Sequence, residues 1–379
     1  MHPPRVVLHV GLPKTGTTFL QGLLAENRDR LRTAGVLYPF VRPGAMFHGA
    51  VEIRGSHAKF GLTADEVAGT WAALCDRARS FAGTTVLSHE VLAGATPGQV
   101  AAALAPLAGL EVHVVVTARD LGRQATAHWQ EEVKLGATFS FAEFERDQLR
   151  ADTGPDAGPD AGGVRPHFWH AQDFADCLRR WSAGLPADRA HLVVGPPPGA
   201  PADELWRRFA DAAGIDARLV DASSAPPANP SLGTAEVALL RAVNARLAAS
   251  PGGRLDPATY NRVVKRAYAE GVLAARPGPR PRAPDDLGDT LRTASDRWVS
   301  DVLAAGHRLH GDPADLAPVL AGPGDPGPDR VELVDDPAEV AAQLISQVAA
   351  APADGSSAEP GHDPAARRPW WSGRGRRRD

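Results

Sequence analysis

Apolar residues fall into short continuous runs separated by longer stretches with helical spacing. The run RVVLHV at 5–10 ends at a glycine-rich loop, and from Thr18 to about Arg32 the apolar positions Phe19, Leu20, Leu23, Leu24 and Leu31 recur on one helix face. Strand, loop and helix are predicted there in that order. TTVLS (84–88) reads as a second strand between helical patterns at 63–81 and 97–107, LEVHVVVTA (110–118) as the clearest strand, and HLVVG (191–195) as a fourth. Strands alternating with helices imply a three-layer α/β domain, a central parallel sheet flanked by helices, with ligands at the carboxyl ends of the strands.

Beyond the third long strand, helical patterns dominate: 167–182, 202–213, 234–249, 257–275 and 285–306 all carry apolar periodicity, which predicts a helical C-terminal part. ADTGPDAGPDAGGVRP (151–166) repeats GPDA and is expected to be a flexible insertion loop. At about 321 the character changes. GPGDPGPD opens a stretch with one short helical pattern near 336–350 and no core pattern after it, so the sequence divides into a domain over 1–320 and a largely disordered tail over 321–379. The last thirteen residues hold six arginines and two tryptophans, a composition that permits weak contact with an anionic membrane surface but more often marks a solvated end.

A length of 379 residues is enough for one large α/β domain with a substantial core. The net charge of −4 argues against a general nucleic-acid binder, which needs a basic excess, and leaves open a small anion held by local positive charge. Cys75 and Cys177 are too few for a disulfide framework, and a reducing cytoplasm is the expected setting. RVVLHVG is too short for the apolar region of a signal peptide, and no apolar run reaches membrane-spanning length, so a cytoplasmic protein is expected.

HVGLPKTGTT (9–18) gives the first loop its chemistry. Gly11 and Gly16 match the two glycines of the nucleotide-binding P-loop G-x-x-x-x-G-K-S/T, yet Thr17 stands where the lysine belongs and Thr18 takes the Ser/Thr position. The lysine, Lys14, lies three residues earlier, directly after Pro13. Inward-facing backbone N–H groups and the start of the next helix suit a tetrahedral anion, with Thr17 and Thr18 as hydroxyl donors. In a kinase the lysine reaches the β- and γ-phosphates beside magnesium. At position 14 it crowns the loop instead, within reach of a leaving-group oxygen on a ligand with fewer phosphates.

PKTGTT, following a strand and opening a helix, resembles the 5′-phosphosulfate loop of the sulfotransferases that use 3′-phosphoadenosine 5′-phosphosulfate (PAPS), enzymes of the P-loop type. The resemblance implies that Pro13, Lys14, Thr15, Gly16, Thr17 and Thr18 bind the donor and that Lys14 stabilises the departing phosphate. It also implies an arginine at the end of a later strand and a serine about two helical turns on, both holding the donor's 3′-phosphate. VVVTARDLGRQATAHWQEE supplies Arg119, but the serine position is Ala127; Thr126, backbone N–H groups or Arg123 would have to compensate. A lost hydrogen bond to a charged phosphate costs about 1.5–3 kcal/mol, enough to weaken donor binding without abolishing it. HFWHAQDFADCLRRW, VVGPPPGAPADELWRRFADAAGID and NPSLGTAEVALLRAVN extend the similarity to bacterial sulfotransferase-like proteins over about 5–318. There Trp169, Gln172 and Asp173 either face the ligand or pack in the core, and Asn229 and Ser231 are candidate helix caps.

Sulfuryl transfer needs a group that takes the acceptor's proton, and no metal if the loop neutralises the phosphate. TTVLSHEVL places His89 and Glu90 at the end of a strand near the expected crevice, and either one fits the role. His48, Glu52 and His57 in AMFHGAVEIRGSH are rivals, from a region that lines the acceptor pocket in related enzymes; if 44–54 is helical, His48 and Glu52 form an i, i+4 pair. No metal site is expected, since the histidines are scattered, H-E-x-x-H is missing, and HRLH (307–310) alone is weak. The resulting expectation is a cytoplasmic PAPS-dependent sulfotransferase acting on a hydroxyl or amine of a small-molecule or lipid acceptor. The alternatives are a P-loop kinase or nucleotide hydrolase, with Asp120 as the magnesium-binding carboxylate, and a nucleotide-binding relative without turnover.

Overall fold

The computed structural model describes residues 4–150, 166–222, 231–250 and 255–350, apart from Gly324, Pro326, Arg330, Glu332 and Val334. The expected loop at 151–166 and the Arg- and Trp-rich end therefore lie almost wholly outside the described residues. Six strands form one sheet: β1 (Arg5–Gly11), β2 (Val36–Leu37), β3 (Thr84–Ser88), β4 (Glu111–Ala118), β5 (Ala190–Val194) and β6 (Arg308–His310), in the order β2-β3-β1-β4-β5-β6. Every pair is parallel, so each connection must cross over one face of the sheet. The protein is an α/β fold of the P-loop type.

Alternation along β1 shows why both faces must be covered. Val6, Leu8 and Val10 point to one side, packed with Trp71, Trp129, Phe174 and Trp298. Val7 points to the other, where Leu20, Leu24, Trp206 and Phe209 close the layer. The four predicted strands are present within a residue or two. β2 and β6 were not predicted, because two or three residues at a sheet edge show no alternation to read. β6 is also where HRLH lies, so that cluster is a strand edge.

Several predicted helices are present but interrupted. The one expected from Thr18 divides at Asn27 into Thr17–Glu26 and Arg28–Thr33, and the 63–81 pattern divides at Gly69, whose φ of 74° no helix accommodates. The 167–182 pattern breaks at Asp173, whose carboxylate accepts from the Asp176 N–H and caps Phe174–Trp181. The 257–275 pattern continues from Pro257–Tyr260 into wide, π-type turns over Asn261–Glu270. Packed structure also continues past 320: the helix Pro337–Ala350, inside the expected tail, buries Ala341 and Leu344 in the core against Thr234–Ala249.

The sheet order sets the position of the site. Connections from β1 run outward through β2 and β3, then the chain crosses to β4 on the other side of β1. The crevice beyond the carboxyl ends of β1 and β4 is the topological switch point of such a sheet. The loop 12–16 leaves β1 there, Arg119 leaves β4, and His89 and Glu90 leave β3.

Candidate active site

The backbone of the loop departs from β1 in conformations that its residues make possible. Gly11 has φ 100°, and a Cβ there would lie 2.8 Å from the Glu90 Cβ, so the glycine lets Glu90 approach the loop. Lys14, with φ 65°, is the one non-glycine residue in the left-handed region among the described residues. A chain of buried polar groups fixes the loop from beneath. Thr15 Oγ1 donates to Leu12 O at 2.6 Å and lies 2.5 Å from Thr117 Oγ1 on β4. Thr117 is 3.3 Å from His9 Nε2, and His9 Nδ1 is 2.8 Å from Ser88 Oγ on β3. Burial holds the His9 pKa at about 4, against a raising influence from Glu90, so its ring stays neutral in this network. Thr15, expected among the donor-binding residues, thus has its hydroxyl committed to the interior.

At the mouth, the helix Thr17–Glu26 begins after Gly16 without a side-chain cap, leaving its first-turn N–H groups directed toward the loop. Thr18 is exposed there, whereas Thr17 is buried and hydrogen-bonds Glu90. Pro13 O accepts from Gln124 Nε2 at 2.9 Å, which ties the loop to the helix Leu121–Lys134.

The same helix supplies partners for Lys14 that the sequence reading missed. The Lys14 ammonium is bonded to Glu131 Oε2, and Glu131 Oε1 accepts from Lys265 Nζ at 2.6 Å. Burial pushes the Glu131 pKa up, but Lys14 and Lys265 outweigh it and hold the carboxyl at about 2. Lys134, one helical turn on from Glu131, is buried in the same field; desolvation and Lys14 lower its pKa against Glu131 and Glu270. Two lysines therefore bind the Glu131 carboxylate and a third lies in its field. The i, i+3 spacing of Glu131 and Lys134 was a readable signal, whereas Lys265 reaches them only through the tertiary fold.

Arg119 is enclosed where β4 ends. Gly195 lets it pack there, since a Cβ on that glycine would lie 2.9 Å from Ala118 O and 3.4 Å from the Arg119 Cβ. Its Nη2 donates to Arg123 O at 3.1 Å, while its buried Nε has no partner among the described residues. Burial, with Arg123 nearby, lowers its pKa to about 10. Thr126 Oγ1 donates to Arg123 O at 3.2 Å, a bond within its own helix, so this hydroxyl is not turned out in place of the missing serine. Asp120 is fully engaged: Oδ1 accepts from Arg123 N at 2.9 Å and Val319 N at 3.0 Å, and Oδ2 binds Arg123 Nε.

His89 and Glu90 adjoin the loop at the end of β3, and their hydrogen bonds distinguish them. His89 Nδ1 accepts from Val91 N at 3.2 Å, which places the proton of the neutral ring on Nε2 and leaves it a donor. Glu90 Oε2 accepts from Gln21 Nε2 at 3.1 Å. Burial works against its charge, but His89 and hydrogen bonds from its own backbone, Gln21 and Thr17 hold its pKa below the ordinary value. Burial likewise lowers His89, against Glu90.

His48 lies on the helix Ala45–Arg54, separated from His89 by Phe47, whose ring is 5.7 Å from the His48 ring and 5.3 Å from the His89 ring. Glu52 has a structural role. It accepts from Gly69 N and Trp71 N, both at 2.7 Å, and so holds the start of Thr70–Arg79. His57 lies on the turn His57–Phe60. Trp169 is core, packed on Trp298, and Gln172 accepts from Gln124 Nε2 at 2.6 Å. Asn229 lies outside the described residues, and Gly233, not Ser231, takes the N-cap of Thr234–Ala249.

No family model matches the chain. An alignment of 138 positions that covers 32% of the chain is 37% identical to the probable replication restart protein PriA of Mycobacterium tuberculosis, and the chain spans 20% of that protein's length. A sulfotransferase structure from Alicyclobacillus acidocaldarius superposes on 60% of this chain and 86% of its own with a TM-score of 0.36 and 14% identity.

Proposed function

We propose that the chain is a sulfotransferase that transfers a sulfuryl group from PAPS to a hydroxyl or amine of a small-molecule or lipid acceptor in the cytoplasm. The observation that supports this most is the placement of Lys14. Lys14 follows β1 at the switch point of the sheet, and Lys14, Lys134 and Lys265 outnumber the carboxylates of Glu131 and Glu270 in their field, leaving positive charge beside an uncapped helix start. Arg119, whose buried Nε has no partner among the described residues, fits a second anionic group on the next strand.

In this reading the loop N–H groups, Lys14 and Thr18 hold the 5′-phosphosulfate and Arg119 holds the 3′-phosphate. Glu90 takes the acceptor proton as the acceptor oxygen bonds to sulfur. Lys14 neutralises the phosphate oxygen released when the S–O bond breaks. Glu90 is preferred to His89 because its carboxylate is ionised, whereas the His89 lone pair at Nδ1 is already used. Asp120, the candidate magnesium-binding carboxylate of the kinase alternative, has both oxygens occupied, which weighs against that alternative.

Calorimetry with 3′-phosphoadenosine 5′-phosphate against ATP and magnesium tests the donor class. Metal-independent binding of the bisphosphate is expected, weakened about tenfold to a hundredfold by Arg119→Ala through loss of a charge-assisted contact, while Lys14→Ala severely reduces turnover. Preference for ATP with magnesium would overturn the reading. Bisphosphate binding without transfer to any acceptor would instead fit a relative that no longer turns over.

A further inference from the structure

A second group of side chains centres on the helix Leu121–Lys134 and takes no part in the chemistry above. His128 and Glu132 are one helical turn apart and so share a face. The helix His167–Gln172 brings His167 against them, with its Nδ1 3.1 Å from His128 Nε2, while Glu132 Oε1 lies 3.9 Å from the same nitrogen. One ligand atom from each residue falls within 4.8 Å of the other two.

The 3.1 Å separation of the two imidazole nitrogens suits a shared ion, and the Glu132 carboxylate, at 3.9 Å, needs only a small side-chain rotation to join them. Zinc binds imidazole nitrogen at about 2.0–2.1 Å and carboxylate oxygen at about 2.0–2.2 Å in a tetrahedron, which sets neighbouring ligand atoms roughly 3.3 Å apart. Two imidazole nitrogens facing each other can share only one hydrogen, whereas a cation between them uses both lone pairs. The surroundings also suit a metal. Phe144 and Phe168 wall His128 with ring centroids at 5.8 and 5.6 Å, while Glu132 is 38% exposed and leaves a way in from solvent.

We propose that His128, Glu132 and His167 form a binding site for a divalent transition-metal ion of the zinc type, with a fourth position open to water. Two imidazoles and one carboxylate favour zinc, cobalt or nickel over magnesium or calcium, which prefer all-oxygen sets. The sequence gives no motif for the site because His167 is 39 residues from His128. The ion would clip the start of the His167 helix to the helix that carries Glu131, independently of any sulfuryl transfer.

The test is titration of chelator-treated full-length protein with cobalt(II), read by visible d–d absorption, followed by zinc calorimetry. One equivalent of cobalt with a tetrahedral spectrum is expected, displaced by zinc, with affinity reduced at least about a hundredfold in His167→Ala and in His128→Gln, in line with loss of a direct ligand exceeding the 10–100-fold typical of outer partners. His167 is exposed, so its variant should fold, and circular dichroism of the metal-free variants checks this. Equal cobalt uptake by the wild type and both variants, or no stoichiometric uptake by the wild type, would overturn the proposal and leave the pair as a simple imidazole hydrogen bond.

Discussion

Lys14 combines an unusual backbone with an unusual partner. Left-handed φ at a residue with a Cβ costs about 1–3 kcal/mol and persists only where its surroundings over-determine it. Here the Gln124 bond to Pro13 O on one side and the Thr15 tether on the other do so. Glu131 is the natural residue-scale test. A carboxyl held at about 2 instead of the ordinary 4.5 contributes stability that is fully present above about pH 4.5 and lost as the pH falls toward 2. Glu131→Gln should therefore lower the Tm at neutral pH, and thermal scans should show the gap from wild type closing between pH 4.5 and 2. The same variant should bind 3′-phosphoadenosine 5′-phosphate more tightly, because one negative charge has left an anion site. Unchanged affinity would mean that the Lys14 cluster is purely structural.

At the scale of elements, the helix Leu121–Lys134 organises the site by holding the loop through Gln124, pairing Lys14 through Glu131 and starting at the Asp120 cap. Gln124→Ala should cost about 1 kcal/mol of stability for the lost bond to Pro13 O and raise the donor Kd a few-fold through a looser loop. Urea unfolding and calorimetry measure the two effects separately. The central strands were legible because buried parallel strands read as unbroken apolar runs. The positions of Lys14, Arg119, His89 and Glu90 beyond strand ends were legible because each follows such a run. What the sequence could not convey was side-chain partnership at a distance: Lys265 on Glu131, Val319 on Asp120, or the commitment of Thr126 to its own helix. Short edges and breaks at Asn27 and Asp173 escaped as well, since period alone does not mark where a helix restarts.

For the whole molecule, buried histidines dominate the response to acid. Burial holds His9 at about 4 and His128 and His191 at about 3, against an ordinary 6.5, so the unfolded chain binds protons that the folded chain refuses. Stability should be full above about pH 6.5 and decline as the pH falls toward 4, before most carboxylates titrate. Differential scanning calorimetry from pH 7.5 to 4.5 should show a steady fall in Tm, and a flat profile would contradict the neutral, buried rings. A second molecular feature concerns the order in which the protein becomes complete. Val319 N donates to Asp120, the residue after Arg119, across 199 positions of chain, and β6 joins the sheet at 308–310. During translation, Lys14, Glu90 and Arg119 all emerge long before their brace does. A ribosome must pass residue 319 before the turn that carries Arg119 gains this brace, so the proposed anion site is completed only after most of the chain has been made.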